Sequence, residues 1–180
     1  MEKKVLVIHG SRFGQSTKIA RAMADALEKA DIPTELAELN QCTIADPERH
    51  SGLLLVTSVR YGYFDRNAYR FIEKYRSWIE TVPSLAVTVC LTARSPEKRS
   101  RQTNSYAKQF IEKSGWASDL EVVAGALEYP RYKIWDRLAI QLIMKITDGP
   151  TDSTLNIEYT DWDQVREAAE RFAGVLRRGW

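Results

Sequence analysis

"KVLVIHGSRFGQSTKIARAMADALEKA", residues 4–30, joins two hydrophobic periods across the short loop "GSRFGQS". The run "KVLVIH" is apolar at nearly every position, the pattern of a strand buried on both faces. Beyond the loop, Ile19, Ala20, Met23, Ala26, Leu27 and Ala30 fall on one side of a helix. A buried strand that feeds a helix through small residues begins a parallel crossover unit, since parallel neighbours cannot be joined by a tight hairpin.

The alternation continues to the end of the chain. "PTELAEL" (33–39), "GLLLVTS" (52–58), "SLAVTVCLT" (84–92) and "LEVVAGALEY" (120–129) read as strands. "NAYRFIEKYRSWI" (67–79), "NSYAKQFIEKSGW" (104–116) and "DWDQVREAAERFAGVL" (161–176) read as helices, the last with Thr160 or Asp161 as its cap. "TLNIEYTDW" (154–162) leads into that final helix. The pattern predicts one α/β domain over 1–180, a five-stranded parallel sheet with helices on both faces and the doubly wound order 2-1-3-4-5. In such a sheet a ligand binds beyond the carboxyl ends of the strands, where the winding reverses. The loops to inspect are therefore "GSRFGQS", "SVRYGYFD" (58–65) and "TARSPEKRSRQT" (92–103).

Composition removes several kinds of chemistry. The 180 residues include two cysteines, Cys42 and Cys90, and two histidines, His9 and His50, none at metal-ligand spacing. Neither a disulfide framework, a zinc site nor a histidine triad is expected. The amino-terminal apolar run ends after Ile8 and reads as a strand, not a signal peptide, so a cytoplasmic location is expected. Net charge is only +2, but cations gather in "RSPEKRSR" (94–101), "YPRYKIWDR" (129–137) and "RRGW" (177–180). Such runs are usually solvated faces; two of them around one pocket suit an anionic ligand. No nucleic-acid partner is expected.

In the first loop, Ser11, Gly14, Gln15, Ser16 and Thr17 stand between strand and helix, where backbone N–H groups and the helix dipole favour a phosphate. The Walker ending and the G-x-G-x-x-G fingerprint are both absent, so a monophosphate suits it better than a nucleotide di- or triphosphate. The loop alone fits an ordinary helix cap equally well. In the second loop Tyr61 and Tyr63 flank Gly62, and aromatic rings beside a glycine suit stacking on a flat heteroaromatic ring. Together the two loops point to flavin mononucleotide (FMN).

These features resemble the flavodoxin family, and "SRFGQS" is similar to its phosphate loop. Longer stretches, "SVRYGY", "ARSPEKRSRQTNSYAKQF", "AGALEYPRYKIWDRLAIQLIMKI" and "YTDW", resemble one branch of it, the menaquinone-dependent protoporphyrinogen oxidases of bacterial haem synthesis. The resemblance covers essentially the whole chain. Ser16 stands where flavodoxins usually have threonine, which keeps the hydroxyl, and Phe13 replaces a residue that is more commonly polar.

The resemblance implies that Ser11, Arg12, Phe13, Gly14, Gln15 and Ser16 hold the FMN phosphate. Ser58, Val59, Arg60, Tyr61 and Gly62, with Thr92, Ala93 and Arg94, would border the ring. It further implies oxidation of protoporphyrinogen IX, in haem biosynthesis, with menaquinone or another quinone as acceptor. The flavin would be the electron sink, which accounts for the lack of an evident acid–base dyad or triad; no catalytic side chain is named and no metal is expected. Guanidinium and ammonium groups suit the two substrate propionates, and the candidates are Arg94, Lys98, Arg99, Arg101, Arg131 and Lys133. An electron-carrying flavodoxin is the main alternative, though carriers of that kind are acidic; an NAD(P)H:quinone reductase and a cofactor-free membrane adaptor are others.

Residues 129–150 form an insertion within the last strand region of the flavodoxin plan. Lys133, Arg137, Gln141 and Lys145 recur every fourth position, while Ile134, Trp135, Leu138, Ala139, Leu142, Ile143 and Ile146 cover most of the remaining surface. A helix of this length reaches about 20 Å, against ~30 Å for a hydrocarbon core, so it is too short to span a bilayer. Packing on the core is the commoner fate of such a helix. The basic column, Tyr129, Tyr132 and Trp135, and the family's membrane-held quinone instead point residues 131–147 toward a membrane surface, at the inner face of the cell membrane.

Overall fold

The computed structural model describes residues 3–178 except 12, 45, 129–137, 139, 143, 146–148, 153 and 155. Strands β1 (Lys4–Gly10), β2 (Thr34–Glu38), β3 (His50–Ser58), β4 (Ser84–Cys90) and β5 (Asp119–Ala124) form one sheet in the order β2-β1-β3-β4-β5. All four pairings are parallel, as expected from the alternation of strands and helices. The connecting helices are α1 (Gln15–Lys29), α2 (Arg66–Lys74), α3 (Arg76–Ile79) and α4 (Ser105–Ser114), and α5 (Trp162–Arg178) follows the last strand.

Continuous apolar strands are explained by two covering layers. Val5 and Val7 of β1 and Leu54 and Val56 of β3 pack with Ile19, Met23 and Leu27 of α1 and Val165, Ala169 and Phe172 of α5. The alternate residues Leu6, Ile8, Leu53 and Leu55 pack with Phe71 and Ile72 of α2 and Phe110 of α4. Because successive side chains point to opposite faces, each strand must be apolar at both parities.

Polar side chains fix where the helices begin. Asp65 accepts from the Asn67 N–H at 2.9 Å, and Asn104 accepts from the Tyr106 and Ala107 N–H groups at 3.0 and 3.2 Å. Of the two candidates at α5, Asp161 is the cap, accepting from the Gln164 N–H at 3.1 Å. Each such cap is worth about 1 kcal/mol.

The strand read at 120–129 divides in two. β4 ends at Cys90, which is paired with Ala124, so the chain beyond has no neighbour in the main sheet. Strand β6 (Ala126–Glu128) instead pairs antiparallel with β7 (Asn156–Glu158), Leu127 opposite Ile157. This two-stranded sheet closes the base of the insertion. Much of the expected helix lies outside the described residues, among them Arg131 and Lys133, but 138, 140–142, 144 and 145 are helical. Met144 is fully buried with Leu127, and Phe13, Leu91, Ile140 and Tyr159 pack around them. Leu138 and Leu142 are exposed. No helix among the described residues is long and apolar enough to cross a membrane.

His9, near the end of β1, is 5% exposed, and its Nδ1 lies 3.2 Å from the hydroxyl of Thr17 in α1. Burial lowers its pKa below the ordinary 6.5; Glu38 opposes this and Arg21 adds to it. The imidazole is therefore neutral in the folded protein near neutral pH, and as pH falls through 6.5 the unfolded chain takes up a proton first. Stability is full above that pH and is lost below it, with a slope of up to about 1.4 kcal/mol per pH unit from this group. Urea unfolding between pH 7 and 5 should show a steeper loss for the natural chain than for His9→Gln; parallel curves would dismiss the effect.

Candidate functional site

The loops after β1, β3 and β4 and the chain after β5 enclose one cleft at the carboxyl ends of the strands. It is partly open to solvent, and its walls are mainly apolar with a few polar groups among them, the make-up of a small-molecule site. The reversal of winding in the order 2-1-3-4-5 is what leaves this crevice open.

At its β1 end the chain turns into α1 through Gly14, whose φ of 96° is left-handed and favours glycine. Gly14 supplies no side-chain cap, and its own N–H donates to Ser11 Oγ at 2.9 Å. The first intrahelical bond runs from the Lys18 N–H to the Gly14 carbonyl, so the N–H groups of Gln15, Ser16 and Thr17 have no intrahelical partner. Ser11, Gln15 and Ser16 line the cleft beside them. This is a cradle of donors with the positive end of a helix dipole behind it.

The β3 loop is a tight turn. Arg60 and Tyr63 exchange backbone hydrogen bonds of 2.7 and 2.9 Å, and both central residues have positive φ, Tyr61 at 48° and Gly62 at 82°. Two left-handed residues are the mark of a hairpin turn of the I′ kind, and for tyrosine that conformation costs on the order of 1 kcal/mol. The turn holds Tyr61 45% exposed beside the cleft. The Arg60 guanidinium lies 4.7 Å from the Tyr61 ring centroid and 5.7 Å from that of Phe13, so it bridges the first and second loops. The aromatic residue at position 13 thus takes part in the cleft wall through this contact.

In the β4 loop, Thr92 and Arg94 line the cleft, whereas Ala93 is fully buried and turns its carbonyl to the Arg99 Nε at 3.0 Å. Arg99 also pairs with Asp161 at 3.0 Å. Lys98 and Arg101 are absent from the described wall. Asn104 braces the loop from inside, donating to the Thr92 hydroxyl at 3.2 Å and the Lys98 carbonyl at 2.8 Å.

Of the residues expected to hold the cofactor, the structure gathers Ser11, Phe13, Gln15, Ser16, Ser58, Val59, Arg60, Tyr61, Gly62, Thr92 and Arg94 around this one cleft. Arg12 lies outside the described residues, and Gly14 acts through the backbone. Sequence reasoning missed Val89, Cys90, Leu91, Tyr106, Gly125, Ala126, Glu128 and Ile140, which complete the wall. Burial raises the Tyr106 pKa above 10.0, with the neighbouring Cys90 adding to it, so this phenol stays neutral. The end of β5 was readable in advance as a wall, because every strand's carboxyl end borders such a crevice.

FMN fits these residues. The phosphate finds helix N–H groups and hydroxyls, while the buried Oε1 of Gln15, without a partner among the described residues, could accept from a hydroxyl of the cofactor. A planar ring system finds Val59, Tyr61, Leu91 and Tyr106 on the walls. Fold and cleft together define a flavodoxin-type protein.

Comparison with known proteins agrees. The flavodoxin domain model matches residues 6–154. A solved archaeal flavodoxin superposes with a TM-score of 0.56 at 9% identity, covering 97% of this chain and 99% of its own, which is a likeness of fold alone. Protoporphyrinogen IX dehydrogenase (quinone) of Escherichia coli strain K12 is 38% identical over 171 residues, 94% of each chain. The protein of the same name from Leishmania major is 38% identical over 177 residues, 96% of this chain and 75% of its own. The chain belongs to the flavodoxin family, in the branch that holds the quinone-dependent protoporphyrinogen IX dehydrogenases.

Proposed function

We propose that this chain binds FMN in the cleft and oxidises protoporphyrinogen IX to protoporphyrin IX, delivering the electrons to a quinone. The observation that carries the reading is 38% identity along 94% of the chain to a protein of that name, combined with a cleft at the winding reversal that offers a phosphate cradle and aromatic walls. The acceptor is a menaquinone and the product enters haem synthesis. Residues 1–180 act as a single flavodoxin-like domain with an insertion at 129–150, which rests on the membrane that holds the quinone.

Bound FMN supplies the two-electron sink, and three rounds complete a six-electron oxidation. The chain supplies placement and electrostatics. Ser11, Ser16 and the N–H groups of Gln15, Ser16 and Thr17 hold the phosphate, with Arg12, Phe13 and Gly14 completing the loop. Ser58, Val59, Arg60, Tyr61 and Gly62 border the ring on one side, Thr92, Ala93 and Arg94 on the other. Among the basic candidates Arg94 lines the cleft wall, and a guanidinium suits a propionate carboxylate, which supports its role as one substrate anchor. Lys98, Arg101, Arg131 and Lys133 are the candidates for the second propionate. Arg99 commits its guanidinium to Asp161 and the Ala93 carbonyl, so its part is to shape the loop. The exposed Leu138 and Leu142, one helical turn apart, give the insertion an apolar face for the lipid boundary.

The test is an anaerobic assay in which FMN-loaded protein receives protoporphyrinogen IX and a menaquinone analogue, with the quinone either in detergent or in anionic liposomes. Porphyrin fluorescence should rise only when flavin and quinone are both present, and faster in liposomes. Loss of the liposome advantage alone would remove the membrane reading. Flavin binding without porphyrin formation, alongside electron exchange with a flavodoxin reductase, would replace the enzyme with a carrier.

A further inference from the structure

The segment "YTDW" (159–162), one of the stretches that resemble the branch, contributes no residue to the lining of the cleft. It lies between β7 and α5, where the insertion rejoins the main fold. Tyr159 anchors it through an N–H donated to the Gly125 carbonyl at 3.1 Å. Thr160 is 8% exposed, and its hydroxyl donates to the Ala124 carbonyl at 2.8 Å.

That last bond orients Gln15. The single hydroxyl hydrogen of Thr160 is committed to Ala124, so its oxygen is left to accept, and the Glu158 carboxylate can only accept. Both face the same group, Gln15 Nε2, at 2.8 and 2.6 Å. Two acceptors on one side fix the amide: its NH₂ must face β7, and its Oε1 must face away. Gln15 is the first residue of α1, so these two bonds tether the start of the helix, whose N–H groups form the phosphate cradle, to Glu158 and Thr160.

The next residue reaches the opposite lip. Asp161 caps α5 through its Oδ1, while its Oδ2 receives Arg99 Nη1 at 3.0 Å. The Arg99 Nε in turn holds the Ala93 carbonyl between Thr92 and Arg94, two of the residues by which the β4 loop lines the cleft. The Asp161 pKa lies below 3.8, held down first by the Gln164 N–H and then by Arg99, so the pair is ionised at neutral pH. Two adjacent residues therefore grip two different loops of the same cleft, Thr160 braced on the end of β5 and Asp161 on the start of α5.

We infer that Thr160 and Asp161 are positioning residues for the flavin: Thr160 sets the phosphate cradle through Gln15, and Asp161 sets the ring-side loop through Arg99. This rests on the FMN reading above. It separates the two grips by the part of the ligand each serves. Riboflavin lacks the phosphate, so it reports the ring-side grip alone.

The experiment measures dissociation constants of FMN and riboflavin by flavin fluorescence for the natural chain, Thr160→Val, Thr160→Ser and Asp161→Asn, with apoprotein melting recorded for each. Thr160→Val should weaken FMN about tenfold and riboflavin less than about twofold, since releasing one buried hydrogen-bonded group is worth about that factor. Thr160→Ser should restore FMN binding. Asp161→Asn should weaken both flavins by a similar factor of about five. An FMN constant unchanged in Thr160→Val, or a loss shared equally with riboflavin, would overturn the assignment of Thr160. Unchanged riboflavin binding in Asp161→Asn would overturn that of Asp161. If the natural chain itself binds neither flavin, the FMN reading fails first; if it binds both and the variants do not differ from it, only the present inference fails.

Discussion

Ser16→Asp is expected to raise the FMN dissociation constant by more than about 1,000-fold while leaving the apoprotein folded. Ser16 is 1% exposed at the second position of α1 and lines the cleft beside the N–H groups that have no intrahelical partner. A carboxylate there would stand within a few ångströms of a phosphate that carries about −1.5 to −2 charges. At 4 Å and an effective dielectric of 20, each pair of unit charges repels by about 4 kcal/mol, which is about three decades of affinity. The same dipole that attracts a phosphate favours aspartate in the first helical turn and offsets part of the cost of a carboxylate at this buried position, so the apoprotein stays folded though somewhat less stable. Ser16→Ala removes one hydroxyl donor and should cost only about fivefold. Fluorescence titration with FMN and melting of the apoprotein separate the two effects. A Ser16→Asp variant that binds FMN within about tenfold of the natural chain would mean that the phosphate sits elsewhere.

The cradle was legible because its signal is local: strand, small residues, helix. The five-strand order was legible for a similar reason, since runs such as "GLLLVTS" are apolar at both parities and demand cover on two faces. Other parts of the site depend on pairings that a single pass along the chain does not display. Arg99 meets Asp161 across 62 positions and Gln15 meets Thr160 across 145, and nothing in either neighbourhood selects the partner. Arg99 consequently reads as a free cation in sequence, although the fold commits it to Asp161. The β6–β7 pair escaped because three residues per strand are too few to set a period against the helix-like run between them. Tyr61 in a left-handed turn is hidden for another reason. Tyrosine is strained in that conformation where asparagine or glycine would not be, so the sequence announces an aromatic loop but not its geometry.

Phe110→Ala should lower the stability of the domain by about 3–5 kcal/mol, a large share of the roughly 5–15 kcal/mol typical of a folded domain, and its melting temperature by roughly 10 °C. Phe110 is fully buried in α4, with its ring 5.1 Å from that of Phe64 in an edge-on contact, 6.0 Å from Tyr69 and 6.2 Å from Trp116. It joins α4 to α2 and to the end of β3's loop, so truncation leaves a cavity bounded by three rings that cannot close together without moving those elements. The cleft should suffer less than the core. Tyr106, one turn earlier on α4, lines the flavin site, but that end of the helix is fixed independently by Asn104, which caps it and also holds Thr92 and the Lys98 carbonyl. Below its melting transition the variant should therefore bind FMN within about threefold of the natural chain, since no hydrogen bond at the cleft is removed. Calorimetry and flavin titration at a low temperature test both halves. A small change in melting temperature would show that α4 is not the clamp on this face of the sheet, and a large loss of FMN affinity in the folded variant would show that the core under α4, rather than Asn104, sets the geometry of the ring-side wall.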